Sequence, residues 1–110
     1  MGGYVSVRVA LHGALGLAQR AGKVVSGTEV VRQSLVTNKV FLLLLASDAA
    51  RRTKEEFVQL AEAKRVPWRE PGSAQEYGAA LGKPNRAVVA VLDRAIAESF
   101  LGKIDPQDPG

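Results

Sequence analysis

The apolar residues near the start of the chain recur at the spacing of a helix. From Val7 to Ala21, the side chains of Leu11, Leu15 and Ala18 fall on one face, as in an amphipathic helix. Gly22 follows at the position where a helix commonly ends. We therefore predict a first helix over Val7–Ala21 that packs through this face against the rest of the chain.

Two later segments are apolar on both alternating faces. Val40–Ala46 and Ala87–Leu92 have this pattern, which is typical of central strands covered by helices on both sides. Shorter strands are predicted at Lys23–Ser26 and Val66–Arg69. Because Pro67 has no N–H to donate to a neighbouring strand, the second of these belongs at a sheet edge.

The remaining apolar patterns have helical spacing, and each follows a turn or a capping residue. We predict four such helices: Thr28–Thr37 after the Ser26-Gly27 turn, one capped by Ser47-Asp48 and running to about Arg65, one opened by the Ser73–Glu76 capping box and ending at Leu81, and one capped by Asp93 and ending at about Leu101. Helices alternating with about four strands predict an α/β fold: a single-domain, three-layer α/β/α sandwich around a mostly buried mixed sheet. We place this domain at 7–102, with a frayed segment at 1–6 and a disordered tail at 103–110.

The composition is that of an ordinary globular protein with a basic surplus. The chain has 110 residues, 46% of them hydrophobic, no cysteine, a net charge of +4 and a pI near 9.8. The longest apolar run is too short to cross a membrane, and the chain start shows no secretory pattern. We expect a cytoplasmic protein without metal or cofactor, and a basic surplus favours nucleic acid as the partner.

The turn before the second helix is the first candidate site. Several backbone N–H groups converge where Gly27 and Thr28 open that helix, and such a helix start favours anions, phosphate above all. Lys23 and Arg32 lie beside it in sequence. The simpler interpretation is a Ser/Thr-capped helix start that binds nothing.

Two further groups of cations extend this candidate site. Arg51, Arg52 and Lys54 stand in the first turns of a helix, where positive charge opposes the helix dipole. The alternative is ordinary surface charge, compensated by Glu55 and Glu56 close by. Lys83–Arg86 is a loop with two cations, a rigid Pro84 and the Asn85 amide. Ligands of α/β sheets bind in loops at one end of the strands, so we predict that these junctions share one rim.

A series of short motifs, in this order, resembles a known family. The motifs are Leu15-Gly16-Leu17-Ala18, Lys23–Gly27, Leu42–Ala49, Val66-Pro67, Tyr77–Lys83 and Ala87–Val91. Together they resemble the L-seven-Ae family of kink-turn-binding ribosomal proteins, in particular its small bacterial, ribosomal-protein-like members with RNA-binding function. The likeness extends from about Val7 to Leu101.

The resemblance implies an α/β/α sandwich that docks on a sharply bent RNA. A Gly-x-Asn-Glu-x-x-Lys helix start then faces tandem G·A pairs, and a second loop covers an extruded base. Gly27 matches the glycine, whereas Glu29, Val30 and Gln33 replace the asparagine, glutamate and lysine. Glu29 only accepts hydrogen bonds, and Val30 accepts none. The covering loop corresponds to Lys83–Arg86, which is more polar than the family's usual cover.

We therefore interpret the chain as a non-catalytic RNA-binding protein. Its partner is a structured RNA, ribosomal or another kink-turn RNA, with ribosomal proteins as possible neighbours, and nothing in the sequence requires a dimer. The alternative is a protein-interaction module on the same fold, with Val30 and Trp68 in an exposed apolar patch. An enzyme ranks third, because the sequence has no nucleotide-binding glycine motif or metal-ligand cluster.

Overall fold

The structure is a computed structural model that describes residues 3–105. Within this range the chain forms five helices and four strands. In chain order they are α1 (Gly3–Arg20), β1 (Val24–Ser26), α2 (Thr28–Val36), β2 (Leu42–Ala46), α3 (Arg51–Ala63), β3 (Trp68–Gly72), α4 (Ala74–Leu81), β4 (Val88–Val91) and α5 (Arg94–Ile104). The predicted α/β class and the number of strands are confirmed.

The four strands form one mixed sheet in the order β1-β4-β2-β3. β4 runs antiparallel to both of its neighbours, β1 and β2. Ala90 of β4 lies between Val25 of β1 and Leu43 of β2. β3 is parallel to β2 and forms an edge, as Pro67 predicted. The two central strands, β2 and β4, are buried along their full length.

Helices cover both faces of the sheet, because side chains alternate along each buried strand. Leu42 and Leu44 pack with α1, α4 and α5, through residues such as Phe100. Leu43 and Leu45 point the other way and pack with α2 and α3. The three-layer sandwich is therefore confirmed, with three helices on one face and two on the other.

The largest differences between predicted and observed boundaries occur at the start of α1 and at the ends of β3 and α5. α1 begins at Gly3, so the helix starts before the predicted Val7, and only residues 1–2 of the predicted frayed segment lie outside the described residues. β3 continues to Gly72, three residues beyond the predicted strand end at Arg69. α5 continues to Ile104, beyond the predicted start of the tail at 103, and 106–110 lie outside the described residues.

Gly22 ends α1 as predicted, with a φ of 72°, and the predicted N-caps are present in α4 and α5. The capping box of Ser73 with Glu76 and the Asp93 cap are both present. Ser47-Asp48 does not cap α3, whose N-cap is Ala50 without a side-chain hydrogen bond. Instead, the Asp48 Oδ1 atom accepts from the backbone N of Ala74 at 2.9 Å, so its carboxylate serves the start of a different helix.

Backbone hydrogen bonds define two opposite ends of the sheet. At one end, Gly27 N donates to Val88 O, Ala46 N to Ala87 O, and Ser47 N to Gly72 O. We call this end the Gly27 rim; it holds the 26–29 turn, the 47–50 turn and the 83–86 loop. At the other end, Leu92 N donates to Lys23 O, Phe41 N to Val91 O, and Leu43 N to Pro67 O. We call this end the Lys23 rim.

Candidate nucleic-acid interface

The first turn of α2 presents free backbone donors on the Gly27 rim. Gly27 is the N-cap with a φ of 99° and a ψ of 149°, and no side chain caps the helix. The first hydrogen bond within the helix runs from Val31 N to Gly27 O. The N–H groups of Thr28, Glu29 and Val30 therefore have no acceptor within the helix, and all three residues are exposed. The prediction that a Ser or Thr side chain caps this helix is wrong. The N-cap residue is Gly27, whose positive φ directs the chain into the helix without a side-chain hydrogen bond.

The hydroxyl of Ser26, at the end of β1, does not cap α2 but binds Arg86 of the 83–86 loop. Arg86 donates from Nε to Ser26 Oγ at 3.0 Å, and its backbone N donates to Ala74 O, also at 3.0 Å. Lys83, Pro84 and Asn85 remain exposed. The 83–86 loop is thus fixed beside the start of α2, and Lys83, Pro84 and Asn85 face outward. This agrees with the prediction that the two segments lie on one rim.

The path of this loop depends on Gly78 in α4. A Cβ added at Gly78 would come within 2.8 Å of the carbonyl oxygen of Lys83 and of the carbonyl carbon of Pro84. Gly82 then ends α4 in the left-handed conformation, with a φ of 66°. Sequence reasoning missed Ser26 and Gly78 as positioning residues. The signal for Gly78 was a glycine inside a helical pattern, which marks a close backbone approach.

The start of α3 adds two arginines to the same rim. Arg51 is almost fully exposed and pairs with Glu55 on the next turn at 3.2 Å. Arg52 is exposed as well, and no ion-pair partner for it occurs among residues 3–105. α3 also begins without a side-chain cap, so both cations stand where the helix dipole repels them and attracts anions.

Two of the predicted site residues are not part of this arrangement. Lys23 lies at the opposite end of β1, on the Lys23 rim, with its Nζ atom 4.0 Å from Asp93. Arg32 joins α2 to α3 through two hydrogen bonds to the Glu56 carboxylate, at 2.5 and 3.1 Å, and lies over the Phe57 ring. These bonds raise the pKa of Arg32 and lower the pKa of Glu56. The charge of Arg32 is therefore already paired with a carboxylate within the protein.

The rest of the α2 surface is polar with one apolar side chain. Glu29 and Gln33 are exposed and lie one helical turn apart. Val30 is 50% exposed next to them. These three residues stand where the resemblance predicts base contacts, and together they offer one carboxylate, one amide and one aliphatic surface.

The charges of the Gly27 rim balance one another. Its cations are Arg51, Arg52, Lys54, Lys83 and Arg86, and its acidic residues are Glu29, Asp48, Glu55, Glu70 and Glu76. Lys54 is already used, since its Nζ atom donates to Ser47 O at 2.8 Å and lies 3.7 Å from Glu70. Three helices begin here, and each contributes about half a positive charge. Local donors, rather than net charge, therefore make this rim suitable for phosphate.

Other kinds of site have little support in the described part of the chain. Residues 3–105 contain no group of three or more His, Asp or Glu side chains able to hold a metal ion. The same residues include no helix long and apolar enough to span a bilayer. A cavity of about 50 Å³ lies between α1 and α4, next to His12 and Tyr77. Two larger hollows beside α3, of about 360 and 390 Å³, are shallow and open to solvent, unlike the enclosed clefts typical of cofactor sites.

Five helices around a four-stranded mixed sheet within residues 3–105, with an uncapped helix start beside a fixed polar loop, place this chain among the small α/β sandwich proteins. Within that class, the chain belongs to the ribosomal protein L7Ae/L30e/S12e/Gadd45 family, whose sequence model matches residues 9–99. The resemblance noted from the sequence is therefore confirmed.

Relatives and solved structures agree with this assignment. The chain is 35% identical over 91 residues to the RNA-binding protein YlxQ of Bacillus subtilis, covering 83% of this chain and 91% of that protein. It is 35% identical over 86 residues to the large ribosomal subunit protein eL30 of Pyrobaculum islandicum, covering 76% and 85%.

The fold itself recurs in solved structures. A protein of unknown function from Bacillus halodurans superposes with a TM-score of 0.82 at 32% identity, covering 86% of this chain and 96% of that one. The 15.5kD RNA binding protein of Giardia lamblia superposes with a TM-score of 0.77, covering 90% and 88%. At 17% identity the second match supports the fold alone.

Proposed function

We propose that this protein binds a folded RNA through its Gly27 rim and catalyses no reaction. The observation that carries the proposal is the hydrogen bond from Arg86 to Ser26, which fixes the exposed 83–86 loop beside the free donors of α2. Membership of the family and the likeness to YlxQ support RNA as the ligand. The proposed partner, ribosomal or another structured RNA, implies a cytoplasmic location, and we propose that the protein acts as a monomer, with ribosomal proteins as neighbours where that RNA is ribosomal.

Recognition would depend mainly on the RNA backbone and its shape. The N–H groups of Thr28 and Val30 and the ammonium of Lys83 can donate to phosphate oxygens. The Arg86 guanidinium uses Nε and one terminal nitrogen within the protein, which leaves further N–H groups for the same purpose. Since the side-chain charges of this rim balance one another, these donors have to meet phosphates at defined positions, as in shape recognition.

A kink-turn is the bent RNA that the family resemblance favours. The residues in the first turns of α2 would determine the contacts with its bases. Glu29 can accept a hydrogen bond from a base amine but repels a nearby phosphate. Gln33 can both donate and accept. Val30 offers only apolar contact. We therefore propose weaker base-specific contacts than an Asn-Glu-Lys set would make, and a larger share of affinity from phosphate contacts with Lys83, Arg86, Arg51 and Arg52.

A protein-interaction module is the second candidate, favoured by the half-exposed Val30. Trp68, however, packs partly buried against Val31, Phe57 and their neighbours. Trp68 also begins β3 on the Lys23 rim, whereas Val30 lies on the Gly27 rim. The two residues do not share a surface, so the apolar patch expected for this alternative is limited to α2.

A fluorescence-anisotropy titration tests the proposal. The protein is titrated into a labelled kink-turn RNA and a straight duplex of matched length, over a series of salt concentrations. We expect tighter binding to the bent RNA and a fall in affinity when Lys83 or Arg86 is replaced by glutamine. Equal affinity for both RNAs would contradict shape recognition, and no binding at low salt would overturn the proposal in favour of the protein-interaction module.

A further inference from the structure

The basic surplus of the chain is concentrated on the Lys23 rim, opposite the proposed site. The loops that meet there bring together residues from four helix ends that are distant in sequence. The cations of this rim are Arg20, Lys23, Lys39, Lys64, Arg65 and Arg94, and its acidic residues are Glu62 and Asp93. This surplus of four positive charges equals the net charge of the whole chain, +4.

Most of these cations are not neutralised by a neighbouring carboxylate. Arg20, Lys39 and Arg65 are exposed, and no ion pair of theirs occurs within the part of the chain that the structure describes. Arg94 lies over the Phe41 ring, 5.3 Å from its centre, which leaves the charge uncompensated. The 4.0 Å contact of Lys23 with Asp93 is at the limit of an ion pair, and the lysine side chain is 48% exposed.

Helix dipoles explain part of this arrangement but not all of it. α1, α2 and α3 end on this rim and α5 begins there, which together amounts to about one negative charge. Cations at helix C-termini offset that charge. About three positive charges then remain, so stabilisation of the helix ends does not account for the full surplus. Arg65 even holds a left-handed conformation, with a φ of 59°, a position where glycine or asparagine is usual.

The exposed large hydrophobic residues near these cations do not form one patch. Leu17 lies in the last turn of α1 and Val36 ends α2, and these two helices cover opposite faces of the sheet. Protein interfaces have an apolar centre depleted of charge, whereas nucleic-acid interfaces are polar and strongly positive. The chemistry of this rim therefore fits a phosphate backbone better than the surface of a protein.

We infer that the Lys23 rim is a second RNA-binding surface, which contacts the phosphate backbone of another RNA segment without reading its sequence. The two rims lie at opposite ends of the buried strands, so each rim would contact a different stretch of RNA. A protein with both surfaces would hold two RNA segments at once. This inference rests on the proposed function for the identity of its ligand as RNA.

A co-capture assay with the full-length protein tests the inference. A biotinylated kink-turn RNA is immobilised, and retention of a second, fluorescent straight RNA hairpin is measured with and without protein. The test variant is Arg20→Gln/Lys39→Gln/Arg65→Gln. The matched control, Arg51→Gln/Arg52→Gln/Lys83→Gln, loses the same charge on the Gly27 rim. Circular dichroism and thermal unfolding verify that both variants fold.

We expect the wild-type protein to retain the second RNA, and the Lys23-rim variant to retain about tenfold less while binding the first RNA almost unchanged. The control variant should instead lose the first RNA. Equal co-capture by wild type and the Lys23-rim variant would overturn the inference, as would a wild-type protein that binds the kink-turn RNA and never retains the hairpin. Failure of the wild type to bind either RNA would overturn the proposed function as well, so the two failures are distinct.

Discussion

Gly78 lies directly beneath the carbonyl group of Pro84, and its missing side chain is what allows the 83–86 loop to cross α4. A Cβ at this position would meet the backbone of Pro84 and Lys83 rather than a movable side chain. The loop is held again two residues later, where Arg86 bonds to Ser26 and to Ala74. The position of this exposed loop therefore depends on residues in three other segments: Gly78 in α4, Ser26 at the end of β1, and Ala74 at the start of α4.

Gly78→Ala should displace the loop as well as destabilise the protein. The backbone has to move away from the new methyl group, and overpacking of this kind costs about 1–3 kcal/mol. Urea unfolding measures the loss of stability, and amide chemical shifts of Lys83–Arg86 report the displacement. Gly13→Ala is the control, because its Cβ meets nothing within 4 Å and an exposed helical Gly→Ala change stabilises by about 0.5–1 kcal/mol. Unchanged stability and shifts in Gly78→Ala would contradict the role assigned to Gly78.

Tyr77→Phe should destabilise the fold at neutral pH. The buried hydroxyl donates to Leu45 O at 2.8 Å and accepts from Gly72 N at 3.3 Å. Removing it leaves two backbone groups without this partner, at a cost of about 1–3 kcal/mol. The free energy of unfolding, from urea titrations of both proteins at neutral pH, gives the difference. A difference near zero would show that neither hydrogen bond contributes to stability.

The same substitution should change how stability depends on alkaline pH. Burial raises the pKa of Tyr77 above its ordinary value of 10.0, so the unfolded chain loses this proton first. The tyrosine's contribution is fully present below about pH 10 and declines as pH rises, by about 1.4 kcal/mol per unit. Unfolding measured at increasing pH above this value should bring wild type and Tyr77→Phe closer together. Parallel pH profiles would contradict the buried, protonated state.

Arg32→Gln should leave RNA affinity almost unchanged, in contrast to the sequence-based prediction. Its guanidinium is paired with the Glu56 carboxylate and lies over the Phe57 ring, so its charge attracts a phosphate less than that of an unpaired cation. We expect a change below about twofold for Arg32→Gln and about threefold or more for Lys83→Gln, which removes an exposed cation. Anisotropy titrations in the same buffer compare the two. A loss of RNA affinity larger than about twofold for Arg32→Gln would show that Arg32 contributes to RNA binding.

Asp105→Asn should loosen the end of α5. Arg69 donates two hydrogen bonds to the Asp105 carboxylate, at 2.8 and 3.0 Å, and these bonds lower the pKa of Asp105. The pair therefore stabilises the protein at neutral pH and ceases to do so as pH falls below about 4. Both side chains are more than a third exposed, so the loss is under about 1 kcal/mol. Hydrogen exchange at Lys103 and Ile104 should accelerate.

Glu98→Gln is the matched control for this experiment. Glu98 is exposed on the same helix and carries the same charge, and the structure gives it no contact with Arg69. Exchange at Lys103 and Ile104 should therefore stay at the wild-type rate in this variant. Equal acceleration in both variants would mean that net charge, and not the Arg69–Asp105 pair, holds the helix end.

Element boundaries were predictable where the deciding contact is local. The capping box of Ser73 and the Asp93 cap join residues three apart, so the sequence displays them directly. The end of α5 depends on Arg69, 36 residues away, and the fate of Asp48 depends on Ala74, 26 residues away. No pattern within a window of the sequence can show such contacts.

The same distinction separates the predicted site residues. The 83–86 loop and the α2 start were identified from turn and capping chemistry, and the topology then placed them on one rim. Lys23 adjoins the α2 start in sequence, yet β1 carries it to the other end of the sheet. Arg32 is a free cation in the sequence, whereas the fold places Glu56 beside it.

The sequence by itself determined the layers of this protein, because a strand that is apolar on both faces has to be covered on both sides. It also determined the family and the total charge. Only the tertiary structure decided how the charge is distributed. The direction of each strand assigns every loop to one rim or the other. The cations near the predicted site are therefore matched in number there by acidic residues, and the surplus of positive charge lies at the opposite end of the sheet.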